Sequence, residues 1–210
     1  MYPYAREHLP EFVRTHSADP EVRRALYQVS DALCAEQGLS QVDDNACLQA
    51  LLEWTDEDRK HPALKSLQGM IWAMGFQDGT MKAHIYPDVA PVLRSWVAGG
   101  LRLGIYSSGS VTAQKHFFAH SEAGDLTPLL SHHFDTSTGP KREPASYRSI
   151  AHDVGLPPEQ ILFLSDVGGE LDAAAAAGLR TTQVVRPGTH PVQGHPHVGE
   201  LTGLRIPVPA

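Results

Sequence analysis

The chain has 210 residues, 17 Lys+Arg against 24 Asp+Glu for a net charge of −7, and 41% hydrophobic residues. That is enough apolar material for one medium domain, or one domain with an insertion, and too few charges for a disordered chain. A negative chain with no lysine or arginine block lacks the electrostatic footprint for a nucleic-acid backbone or an anionic membrane, so neither is an expected partner.

The first 80 or so residues read as helices. Asp19-Pro20 opens one, with Asp19 as cap and Pro20 at the first helical position, and Val22, Leu26, Val29 and Leu33 follow at helical spacing until Gly38. A second starts near Asp43-Asp44 and carries Leu48, Leu51 and Leu52 before the charged run Asp56 to Lys60, which reads as a solvated face or a helix end. A third follows Pro62, with Leu64, Leu67, Ile71 and Trp72. The chain changes character from Tyr86 onward. Pro87 to Ala98 reads as a helix, Leu101 to Tyr106 as a strand, Ser110 to Ser121 as a helix and His133 to Asp135 as a short strand. Pro144 to Val154 is again helical, Ile161 to Leu164 a buried strand, Gly168 to Ala177 an Ala-rich helix and Thr181 to Val185 a last strand. This alternation implies right-handed crossovers and a doubly wound parallel α/β sheet. The Pro-, Gly- and His-rich segment after Gly188 reads as a surface tail.

No apolar run approaches the roughly 20 residues of a membrane span. The opening segment is neither a signal peptide nor a transit peptide, so a cytoplasmic location is expected. Cys34 and Cys47 have no CxxC spacing and read as small buried hydrophobes. Trp54, Trp72 and Trp96 read as packing residues on amphipathic helices, and the histidines fall at no metal-binding spacing.

Ligands of an open parallel sheet bind beyond the carboxyl ends of its strands, so the residues that follow each apolar run are the ones to inspect. After Tyr106 comes the hydroxyl-rich turn Ser107-Ser108-Gly109-Ser110, whose hydroxyls and backbone N–H groups suit a phosphate, although Ser and Gly also make ordinary helix caps. Gly139-Pro140-Lys141 offers a lysine able to reach the same anion. Ile161 to Leu164 is followed by Ser165-Asp166, with Glu170 four residues later. A carboxylate at the end of a buried strand is costly to leave unpaired and finds a metal, a lysine or a helix N-terminus, so Asp166 is either a metal ligand or the cap of the next helix.

Serine at a strand end, then lysine, then aspartate at a strand end is the motif order of haloacid dehalogenase superfamily phosphatases. Tyr106 to Val111, His120 to Asp125, Phe134 to Thr136, Gly139 to Lys141, Phe163 to Val167 and Val185 to Gly188 resemble the enolase-phosphatases of methionine salvage, and the resemblance runs from about Pro3 to Gly188. It implies a magnesium-dependent enzyme that enolises 2,3-diketo-5-methylthiopentyl-1-phosphate and removes its phosphate to give an acireductone, with a small-molecule phosphate ester as partner and a monomer as the working form. Carried over by position, Ser107 and Ser108 bind the phosphate, Lys141 bridges phosphate and nucleophile, Asp166 ligates Mg²⁺ and Glu170 stands behind it. The domain expectation is a helical cap over residues 1–85 that closes on the substrate, a Rossmann-like core over 86–188 and a surface tail over 189–210.

One feature of the family has no counterpart here. Its first strand ends in Asp-x-Glu-Gly-Thr and supplies the nucleophilic carboxylate, whereas Met1 to Arg6 resembles the segment that lies downstream of that motif. Asp78-Gly79-Thr80 is a decoy, because Phe76 stands where the nucleophile belongs and the residues before it read as helix. The expectations are a start methionine assigned downstream of the true one, a central strand absent from the sheet, and no turnover by the chain as written. The alternative from another class is a non-catalytic phosphoester-binding module that keeps Ser107, Ser108, Lys141 and Asp166 as its pocket.

Overall fold

A computed structural model describes residues 1–206 and divides the chain into two compact units, Met1–Lys82 and Ala83–Ala210. The first contains α1 (Tyr2–His16), α2 (Pro20–Gln37), α3 (Asp44–Asp56) and α4 (Pro62–Gln77). Three of these are the helices that the capping signals predict. Pro20 and Pro62 sit in the first turns of α2 and α4, Asp43 Oδ1 accepts the Ala46 N–H at 2.8 Å to start α3, and Gly38 closes α2 at φ 69°, a conformation that costs a side-chain-bearing residue. Helix α1 has Pro3 in its first turn but no side-chain cap and no closing glycine. Its Pro10 removes a ladder hydrogen bond from the helix interior, yet Ala5, Leu9, Phe12 and Val13 bury one face, and that packing outweighs the local cost.

Leu9, Val22, Leu26, Leu51, Leu67 and Ile71 lie in one buried cluster. Around it Arg6 pairs with Asp56, and Arg59 with Glu36, on the exposed side. The charged run after α3 is therefore a helix end bound in surface ion pairs. Asp78-Gly79-Thr80 is a turn following α4, in which Asp78 Oδ1 accepts from the Thr80 N–H at 2.9 Å and the Thr80 hydroxyl at 2.6 Å. Trp54 is buried at 4% exposure and Trp72 packs half-buried against the same cluster, as the reading of them as packing residues expects, while Trp96 is half-buried. Cys47 is buried and Cys34 half-buried; both are free thiols.

The second unit contains α5 (Val89–Ala98), β1 (Leu103–Tyr106), α6 (Val111–Ala119), β2 (Leu130–Phe134), α7 (Pro144–Val154), β3 (Leu162–Ser165), α8 (Gly168–Ala176), β4 (Arg180–Val184) and β5 (His197–Val198). All of its strand pairs are parallel, as the strand–helix alternation predicts. They form two sheets, β1-β2 and β3-β4-β5. Among the described residues, β1 and β3 each pair on one edge only.

The segment after Gly188, expected as a surface tail, includes a short strand and one buried leucine. His197–Val198 is a strand of the second sheet, with the Val185 N–H donating to the Val198 carbonyl at 2.8 Å, and Leu201 is 8% exposed. The Leu201 N–H donates to Asp88 Oδ2 at 2.8 Å, and the Arg186 guanidinium meets the same carboxylate at 2.7 Å. Composition pointed to a loop, but a two-residue strand and one buried leucine satisfy enough backbone and apolar surface to fix the segment. The last residues of that range lie outside the described residues.

Candidate active site

The carboxyl end of β1 runs into Ser107, whose N–H donates to the Phe134 carbonyl of β2 at 3.1 Å and so continues the ladder by one residue. The Ser107 hydroxyl oxygen accepts the Gly109 N–H at 3.2 Å, which folds the turn, and Ser110 Oγ accepts the Ala113 N–H at 3.2 Å to cap α6. Asp135, from the end of β2, adds a second cap by accepting the Val111 N–H at 3.1 Å. Hydrogen bonds from the Ser137 hydroxyl and backbone, together with that cap, hold its carboxyl below the usual carboxylate range. Ser108 is exposed, and its hydroxyl has no protein partner among the described residues. The turn is thus held by its own hydroxyls together with Phe134, Asp135 and the Gln114 amide, which donates to the Gly109 carbonyl at 3.0 Å, and the Ser108 hydroxyl is left available.

At the end of β3, Ser165 Oγ donates to Glu170 Oε2 at 2.9 Å and accepts the Val167 N–H at 3.1 Å. The Lys141 ammonium donates to that same Glu170 oxygen at 2.6 Å, with the two side chains 23% and 13% exposed. The Lys141 Nζ also stands 5.6 Å from the centre of the Tyr106 ring, the residue before Ser107. Lys141 is therefore tied directly to Glu170 and placed beside the last residue of β1. Ser107, Ser108 and Asp166 make no hydrogen bond to Lys141 among the described residues. Asp166 is exposed; its backbone carbonyl accepts from Gln183, and its carboxylate has no protein partner among the described residues.

The sequence reading did not single out Gln183. It is fully buried in β4, and its side-chain amide donates to the Asp166 carbonyl at 3.2 Å and the His190 carbonyl at 2.9 Å, while Oε1 accepts the Val192 N–H at 2.8 Å. It locks the peptide that carries Asp166 to the segment after β4. An amide in the middle of the expected strand Thr181 to Val185 was the available signal, since a buried polar side chain has to find partners.

Magnesium is held by one or two carboxylates together with water and substrate phosphate. The free Asp166 carboxylate fits that habit, whereas Glu170 is already engaged by Lys141 and Ser165. No group of three or more His, Cys, Asp or Glu able to hold a metal occurs among the described residues. The fit is to an open site completed by a phosphate.

A family model described as haloacid dehalogenase-like hydrolase matches residues 47–178. The UTR4 protein (Unknown transcript 4 protein) of Saccharomyces cerevisiae has a similar structure, with a TM-score of 0.78 and 33% identity over 97% of this chain and 90% of that one. CbbY from Rhodobacter sphaeroides, at a TM-score of 0.56 and 16% identity over 86% of this chain and 89% of that chain, shares the fold. The fold is thus that of a haloacid dehalogenase-like hydrolase. Enolase-phosphatase E1 of Pseudomonas aeruginosa is 52% identical over 206 residues, covering 98% of this chain and 89% of that protein, and its namesake in Azotobacter vinelandii is 50% identical over 204 residues, covering 97% and 88%. The chain belongs to the enolase-phosphatase family. No helix among the described residues is long and apolar enough to cross a membrane.

Proposed function

We propose that the site takes the phosphate of 2,3-diketo-5-methylthiopentyl-1-phosphate, the methionine-salvage substrate that the family resemblance implies, on the way to the acireductone. Ser107 and Ser108 hold phosphate oxygens, Lys141 places its positive charge against the phosphate, and Asp166 is the residue that would hold magnesium, with Glu170 keeping Lys141 in place. Magnesium bound there would neutralise charge on the phosphate. The observation that carries the reading is the ammonium of Lys141, largely removed from water, held at 2.6 Å on Glu170 beside the ends of β1 and β3. A fixed charge in a partly desolvated site interacts more strongly with a phosphate than one in bulk water.

The same reading includes a negative claim. The sequence Asp-x-Glu-Gly-Thr does not occur in the 210 residues, and Ser107, Lys141 and Asp166 can hold a phosphate but supply no nucleophilic carboxylate. Purified protein of this length, given the diketo phosphate and magnesium, should release no phosphate. Fusing a β-strand that ends in Asp-x-Glu-Gly-Thr to its N-terminus should produce release that Lys141→Ala or replacement of the added aspartate by asparagine abolishes. A folded fusion that released none would overturn the reading. Turnover by the 210-residue protein, lost in Asp166→Asn, would overturn the negative claim and point to a different nucleophile.

A further inference from the structure

Lys141 sits on a loop whose backbone is held in an unusual way. Three consecutive carbonyls accept hydrogen bonds from three different side-chain hydroxyls. Tyr106 Oη donates to the Gly139 carbonyl at 2.8 Å, Ser146 Oγ to the Pro140 carbonyl at 2.8 Å, and Tyr147 Oη to the Lys141 carbonyl at 2.7 Å. Tyr147 and Ser146 lie in the first turn of α7 and are 0% and 2% exposed, while Tyr106 ends β1. The Tyr106 and Tyr147 rings meet edge to face at 5.6 Å, and Tyr147 meets Phe163 of β3 in the same way at 4.9 Å. The loop is thus fastened at once to β1, to α7 and, through Tyr147, to β3.

The backbone at Gly139 makes the fit tight. Its φ is 139°, and a Cβ there would lie 2.3 Å from Ser146 Oγ, so a side chain would strain the backbone and push away one of the three donors. Burial holds the phenols of Tyr147 and Tyr106 protonated well above neutral pH, so both act as donors throughout the ordinary range.

We infer that Tyr147, with Tyr106 and Ser146, is a positioning residue for Lys141: the three hydroxyls fix the peptide from which the lysine springs, so that its ammonium faces the bound phosphate in one geometry. The inference rests on the proposed phosphate site. A flexible lysine must lose side-chain and backbone freedom each time it binds an anion, and a loop already fixed on three carbonyls has lost part of it in advance. None of the three hydroxyls needs to touch the phosphate. Their effect should pass through Lys141 and vanish when Lys141 is gone.

A double-mutant cycle on inorganic phosphate binding, measured by calorimetry on the full 210-residue protein with magnesium present, tests this. Lys141→Ala should weaken binding by at least about tenfold, the loss expected for a charged hydrogen bond. Tyr147→Phe, which removes one oxygen, should weaken it by about three- to tenfold. In the Lys141→Ala background Tyr147→Phe should cause no further loss. A merely structural role would instead weaken binding equally in both backgrounds, and that result, or no effect of Tyr147→Phe on the parent, would overturn the inference while leaving the phosphate site standing. If Lys141→Ala bound phosphate as tightly as the parent, the site reading itself would fall and the positioning role with it. Tyr106→Phe, on a less buried ring, provides the same cycle should Tyr147→Phe fail to fold.

Discussion

In the unit of Met1–Lys82, Leu51, Leu67 and Ile71 have no exposed surface, whereas in the unit of Ala83–Ala210 every residue of β1 and β3 keeps part of its surface open. The difference follows from where each element finds its hydrogen bonds. A helix satisfies its backbone internally and needs neighbours only for its apolar face, so four helices close a core of their own. A strand needs a partner on each edge, and β1 and β3 each have one among the described residues. Of the proposed site residues, Ser107, Ser108 and Asp166 follow the ends of these two less enclosed strands, and Ser108 and Asp166 are exposed there.

The largest effect should come from supplying a partner. Fusing a β-strand to the N-terminus, as in the assay above, should raise the thermal midpoint of the second unit well above that of the 210-residue protein and leave the first unit unchanged, as seen by calorimetry. An unchanged midpoint would mean that the strand edges cost nothing as they stand.

Within the second unit, Asp88→Asn should cost about 3–5 kcal/mol in denaturant unfolding, because it leaves the Arg186 charge unpaired in a buried setting. The two side chains are only 8% and 14% exposed, and Arg186 also lies over the Tyr86 ring. In the first unit, Leu51→Ala should cost about 2–5 kcal/mol, while Leu164→Ala in β3 should cost roughly half as much, since less of its side chain leaves water on folding. Equal costs would remove the contrast between the units.

The pH dependence sharpens the role of Asp88. Burial alone would raise its pKa, but Arg186 and the Leu201 N–H outweigh burial and leave it below the ordinary carboxylate value. A lowered folded pKa gives stability that is complete above the unfolded value of about 4 and disappears as pH falls through the folded one. The difference in stability between the parent and Asp88→Asn should therefore persist at neutral pH and shrink below about pH 4. The smallest effect belongs to the exposed pair in the first unit: Arg6→Ala should leave the unfolding midpoint unchanged, because Arg6 and Asp56 are 49% and 52% exposed and compete with water for each other.

Much of this architecture was legible from local chemistry. Asp19-Pro20 and Gly38 mark α2, Pro144 and Gly155 mark α7, and the short apolar runs before Ser107 and Asp166 mark the strands that carry the site. Two elements were not legible. Helix α1 contains a proline that local rules disfavour and is held by tertiary burial, and β5 is two residues inside a Pro- and Gly-rich run, visible only through its ladder to β4. At the site, the sequence pointed to Lys141, Asp166 and Glu170 by position. It could not reveal that Glu170 holds Lys141 or that three hydroxyls hold the lysine's loop, because those bonds join residues from separate elements through carbonyls that every residue possesses.

Amide hydrogen exchange, resolved by residue, tests the contrast between the units most directly. The Ser107 N–H bonds to Phe134 and the Arg180 N–H to Ile161, and the alternation of a parallel ladder then points the amides of Ile105 and Phe163 at a neighbouring strand and those of Tyr106 and Leu164 away from one. Tyr106 and Leu164 should exchange far faster than Ile105 and Phe163, while amides within α3 and α4 exchange slowly throughout. Protection of Tyr106 and Leu164 equal to that of Ile105 and Phe163 would contradict the open strand edges.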